Sequence, residues 1–171
     1  PMTALLVVVL SVPVVGQEST RQDFEDFCKA WDGRWVCDTT LVEDDPGVGE
    51  KGDKFTEYAD CKVAHDGNAL ICKTYGGKGC ATWIVVYDAG DKQIKSLWVS
   101  SGGGVGHGTI YKRGEKWIEA SRGSQADGTE QEVTFTVTIT DNGITHTWAG
   151  TPVTGGKKAA EDIREWHRVN K

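Results

Sequence analysis

The chain lacks any apolar run long enough to cross a bilayer as a helix, which takes about 20 residues. Its longest such run, Ala4 to Val15, is too short, and beyond Gly16 it gives way at once to polar residues. That is the form of the hydrophobic core and small-residue cleavage site of a secretory signal peptide. The charged start of such a leader is missing. Residues 1–16 are therefore expected to be an N-terminally incomplete signal peptide, and 17–171 an exported domain, secreted or periplasmic. A basic surplus is lacking too: 19 Lys and Arg stand against 25 Asp and Glu, a net charge of -6. Nucleic acid is bound by neutralising phosphates, and anionic membranes attract basic segments, so neither partner is expected.

Several signatures of chemistry are also absent. No two cysteines have the short spacing of a zinc knuckle, and no Gly-x-Ser-x-Gly elbow is present to build a serine nucleophile. The glycine-rich stretch from Ser100 to Thr109 has neither dinucleotide nor Walker spacing, and is expected to be a flexible hairpin. No repeat, low-complexity tract or linker divides the chain. Only four prolines occur, and none falls inside an expected strand of the exported domain except at an end.

What remains is one helix and a long series of strands. Thr20 can cap a helix with Asp23 three residues on, and Phe24, Phe27, Cys28 and Trp31 then form one apolar stripe. From Gly33 onward the pattern alternates. Strands are expected near 33–42, 54–64, 69–76, 81–88, 93–100, 107–113, 116–123, 130–140, 144–151 and 163–169. Asp66-Gly67, Gly90-Asp91, Gly114-Glu115, Asp127-Gly128 and Asn142-Gly143 lie between them, as hairpins require. A two-residue turn at Asn142-Gly143 sets Val137 opposite Trp148 and Ile139 opposite His146. The threonines at 134, 136, 138 and 140 then lie on the other face, in water. Sequential hairpins favour an antiparallel up-and-down β-barrel of about 8–10 strands with a short N-terminal helix.

Five cysteines fit an oxidising compartment as up to two disulfides and one odd thiol. A hairpin centred on Asp66-Gly67 brings Cys61 opposite Cys72, within bridging reach. Of the other three, Cys28 is matched with Cys80, leaving Cys37 as a buried apolar thiol.

The helix, then Asp32-Gly33-Arg34-Trp35, then a terminal Trp166-His167-Arg168, resembles the calycin superfamily. That group includes lipocalins, fatty-acid-binding proteins and the lipocalin-like domains of uncharacterised exported bacterial proteins. The resemblance implies that Gly33 and Trp35 close a barrel floor. It also implies that Arg168, or else Arg164, packs over Trp35 in a cation–π lock. It further implies a cavity for a small apolar or amphipathic ligand in a monomer or weak dimer, with no cofactor. The expected ligand contacts are Trp98, Tyr111, Trp117, Glu119, Val137, His146 and Trp148. Three rival readings stand beside this one. One is an enzyme, a hydrolase or isomerase around His107 or His146. Another is a haem barrel using His107, as nitrobindins use a histidine. The third is a structural barrel with a filled interior.

Overall fold

The computed structural model describes residues 17–169, so the expected leader lies outside the described residues. Helix α1 spans Arg21–Trp31. The strands are β1 (Gly33–Thr40), β2 (Lys54–Ala64), β3 (Ala69–Gly76), β4 (Gly79–Asp88), β5 (Gln93–Ser100) and β6 (Val105–Arg113). They continue as β7 (Lys116–Ser124), β8 (Glu130–Thr140), β9 (Thr145–Gly150), the two-residue β10 (Val153–Thr154) and β11 (Lys157–Lys158), and β12 (Asp162–Arg168). Each strand from β1 to β8 pairs antiparallel with the next. β9 then pairs with β12 and β12 with β1, which closes the sheet. Ten strands make the barrel, while β10 and β11 extend it beside β8 at one rim.

The expected registers hold along β8 and β9, where Val137 faces Trp148, Ile139 faces His146 and Thr138 faces Thr147. The turn itself is longer than two residues, because a short 3-10 segment at Asp141–Gly143 joins the strands. Adding one residue to each strand's loop end leaves the pairing unchanged. The glycine-rich stretch differs from expectation. Most of it is strand, with β6 beginning at Val105, and Gly106 is there for packing. A Cβ on Gly106 would sit 2.5 Å from the Trp98 indole. The glycine is a seat for that ring.

One barrel end is sealed. Thr20 and Asp23 form a reciprocal capping box that starts α1. Phe24, Phe27, Cys28 and Trp31 are buried along one side of the helix. Phe27 packs edge-on against Trp83 and Trp117, at ring separations of 5.8 and 5.1 Å. The floor lock forms as expected: the Arg168 guanidinium lies 4.3 Å from the centre of the Trp35 ring. Arg168 also donates to the carbonyls of Ala30, Asp32 and Gly143, tying the end of α1 to the barrel. Gly33, at φ +135°, leaves room for that guanidinium, since a Cβ would lie 2.5 Å from its Nη1.

Cys61 and Cys72 form a disulfide between facing residues of β2 and β3. The match of Cys28 with Cys80 is not made. Cys28 lies on the buried face of α1, whereas Cys80 is exposed at the start of β4, near the opposite end. Burial pushes the Cys28 thiol up to about 12 and raises that of Cys37 as well. Without denaturant, a thiol reagent is expected to modify Cys80 alone. Cys28 and Cys37 should react only after unfolding, and non-reducing peptide mapping should recover Cys61 joined to Cys72. Rapid labelling of Cys37 in the native protein would contradict its burial.

Candidate functional site

Alternation along every strand decides what faces the interior. Pairing carries the inward set from Trp35 on β1 to Ala59 on β2 and Thr74 on β3. It then runs through Ala81 on β4, Ser100 on β5 and so around the wall. At the sealed end this set is an aromatic cluster. Trp31 packs against Trp35, Trp83, Trp148 and Trp166, with ring centres 5.2 to 6.4 Å apart. His146 is 0% exposed and lies between Trp31 and Trp35, at 4.5 and 4.2 Å. Neither of its ring nitrogens has a hydrogen-bond partner, and the same is true of the indole nitrogens of Trp31 and Trp148. Most of these rings meet edge to face, which points N–H and C–H edges at π faces instead of at oxygen. Burial, with a smaller contribution from the Arg168 charge, pulls the His146 imidazolium down to about 3. It is a neutral, apolar-packed ring.

Above this cluster the barrel is open, with a cavity of about 330 Å³. Trp83, Trp98, Trp148, Phe55 and Phe135 supply its aromatic walls. Across the mouth runs the segment between β1 and β2. It is held down where Lys78 N donates to Val48 O at 3.0 Å, and where Gln131 and Thr154 donate to the Glu43 carboxylate at 2.8 and 3.0 Å.

Two polar stations face the cavity. The first is Glu119 on β7, which is 5% exposed. Its Oε1 accepts from Ser96 Oγ at 2.9 Å and Trp83 Nε1 at 3.2 Å. Desolvation outweighs these two bonds and raises its carboxyl to about 7. The second is Arg164 on β12, which bonds Asp162 through Nε and Nη2 and Glu57 through Nη1, at 2.9 to 3.3 Å. Burial alone would loosen the guanidinium's proton. Glu57 and then Asp162 overcome this and hold its pKa above the ordinary value.

Of the residues expected to line the cavity, Trp98, Glu119 and Trp148 do so. Trp117, Val137 and His146 point inward but sit below the cavity in the packed cluster. Tyr111 is a correction, because it lies on the outer wall with the Arg113 guanidinium 5.5 Å from its ring centre. Gly114-Glu115 is a two-residue turn, so Trp117 faces Lys112 and takes the opposite side from Tyr111. His107 is likewise exposed on the outer wall, where its Nε2 accepts from Arg122 at 3.2 Å. It cannot reach a ligand inside the barrel. With His107 outside and His146 sealed, the enzyme and haem readings lose the residues on which they rested.

Reading residues by sequence missed Glu57, Asp162 and Phe55, and took Arg164 only as an alternative lock. A signal for Arg164 existed. If Trp166 faces His146, then Arg164 faces Trp148 and must point inward, as the observed register has it. The molecule is thus a closed antiparallel barrel, sealed by a helix at one end and holding an open, aromatic-walled cavity at the other. Compared with known proteins, the sequence matches no family model and no curated protein.

Proposed function

We propose that the protein is an exported carrier of calycin type that binds a small, partly apolar molecule in the barrel. The observation that carries this reading is the open cavity of about 330 Å³, within the range of small-ligand pockets. Indole and phenyl rings contribute much of its apolar wall, and polar groups converge on it from different strands. Aromatic walls remove an apolar body from water, and the buried polar groups fix its orientation. Export is supported by the Cys61–Cys72 disulfide, a feature of oxidising compartments. Among the described residues no helix is long and apolar enough to cross a membrane.

The test is titration with a neutral apolar dye, N-phenyl-1-naphthylamine. Dye fluorescence is expected to rise while tryptophan emission is quenched. Trp98→Ala should weaken binding about tenfold, as loss of an aromatic contact worth roughly 1–1.5 kcal/mol would. Thr136→Lys, on the outer face of β8, should leave it unchanged. Absence of dye binding by folded protein would overturn the carrier reading.

A further inference from the structure

The cavity's charge is more one-sided than that of the chain. Over the whole sequence acids exceed bases only by 25 to 19. Among the described residues that line the cavity, Arg164 is the sole base, and there is no lysine or histidine. Glu57, Glu119 and Asp162 stand inside against it, and Glu43, Asp44 and Asp45 stand at the rim, while Glu132 faces the outward Arg122.

Arg164 is not free to receive an anion. Its guanidinium already bonds two carboxylates, Asp162 and Glu57, so this trio carries a net negative charge. The remaining four acids form no ion pair with any described residue. Glu43, Asp44 and Asp45 accept only from neutral donors. Glu119 is the deepest case: it is 5% exposed, and its hydrogen bonds from Ser96 and Trp83 both end on Oε1. Oε2 accepts from no described residue. That oxygen is not among the fully sealed polar atoms, so it stands open to a donor from the cavity. Phe135 lies opposite Glu119 across β7 and β8, and Trp98 lines the same cavity; aromatic rings attract cations over their faces. A cleft lined by one sign of charge also concentrates ligands of the other sign.

We propose that the cavity selects an organic cation: an amine on an aromatic or aliphatic body, with its ammonium donating to Glu119 and its body against Trp98 and Phe135. This rests on the carrier reading and adds the chemical class of the ligand. An anion would meet carboxylates at the rim and at both interior stations. A neutral hydroxyl can donate to the Glu119 oxygen but leaves the surrounding negative charge uncompensated.

The experiment is calorimetric titration of the folded full chain at about pH 8.5, where Glu119 is ionised and the amine still charged, with three probes on one body: 4-phenylbutylamine, 4-phenyl-1-butanol and 4-phenylbutanoate. N-phenyl-1-naphthylamine serves as a separate reporter that the cavity binds anything. The amine is expected to bind at least tenfold more tightly than the alcohol, and the carboxylate more weakly than either. Glu119→Gln keeps an acceptor for Ser96 and Trp83. It should lower amine affinity at least tenfold while changing that of the alcohol less than twofold. The comparison among probes on the unmodified protein needs no variant to fold. If the dye binds and the alcohol or the carboxylate equals the amine, the cation proposal is overturned while the carrier reading stands. If neither the dye nor any of the three probes binds, both fall together.

Discussion

Trp35→Ala is expected to lower stability by about 3–5 kcal/mol, the range for truncating a large buried aromatic. In a domain of this size that is a fall in thermal midpoint of roughly 6–20 °C. Trp35 is 1% exposed, and its ring touches Trp31 at 5.2 Å and His146 at 4.2 Å. Its Nε1 donates to the carbonyl of Trp31 at 2.8 Å, so the substitution also leaves a buried carbonyl without its donor. The cavity left behind could not refill easily, because rings fixed by their own strands surround it. Arg168→Ala should cost less, about 1–2 kcal/mol, since its stack on Trp35 lies nearer solvent. Urea unfolding of both variants checks the order. A Trp35→Ala protein with an unchanged midpoint would mean that α1 and the first strand are held by something other than this lock.

How far the sequence disclosed this arrangement depends on the distance over which each feature is determined. Hairpins are local. Facing residues across Asp66-Gly67 follow from the turn alone, so the pairing of Cys61 with Cys72 was legible, as were the two faces of β8. The floor lock joins residues far apart in the chain, but a short motif marked both ends of it. Tyr111 was misplaced although the information was present, since the Gly114-Glu115 turn already puts Trp117 opposite Lys112. Depth inside the barrel was not legible. Parity says that His146 points inward, but not that α1 brings Trp31 down upon it. Nor does it say that the cavity begins above it. The meeting of Arg164 with Glu57, 107 residues away, depends on closing the barrel through β1 and β12, which no local pattern encodes. Cys28 and Cys80 failed for the same reason: they fall at opposite ends of a closed barrel.

That depth also separates two buried titratable groups whose effects on stability oppose each other. Glu119 has its carboxyl raised by burial from an ordinary 4.5 to about 7. Between those values the folded protein holds a proton that the unfolded chain releases, so stability falls as pH rises, by about 3 kcal/mol in all. His146 is depressed by burial from 6.5 to about 3. Between those values the unfolded chain binds a proton that the folded protein refuses. Stability therefore rises with pH across that window, by about 5 kcal/mol. From about pH 4.5 to 6.5 the two slopes run in opposite directions and nearly cancel, so the unmodified protein should show little pH dependence there. Each single substitution should expose the other group. In urea unfolding, Glu119→Gln should gain stability steadily from pH 4.5 to 6.5 and hold it at pH 8, exceeding the unmodified protein there by about 3 kcal/mol. His146→Leu should lose stability over the same interval and level off above pH 7. Comparing each variant with the unmodified protein at the same pH removes the contribution of the surface carboxylates held low by their hydrogen bonds, Asp23, Asp88 and Asp127. Parallel pH profiles for all three proteins would show that neither group is sealed from water as the barrel places it. A fall in stability already present in the unmodified protein, unchanged in His146→Leu and absent in Glu119→Gln, would leave Glu119 buried and return the histidine to solvent.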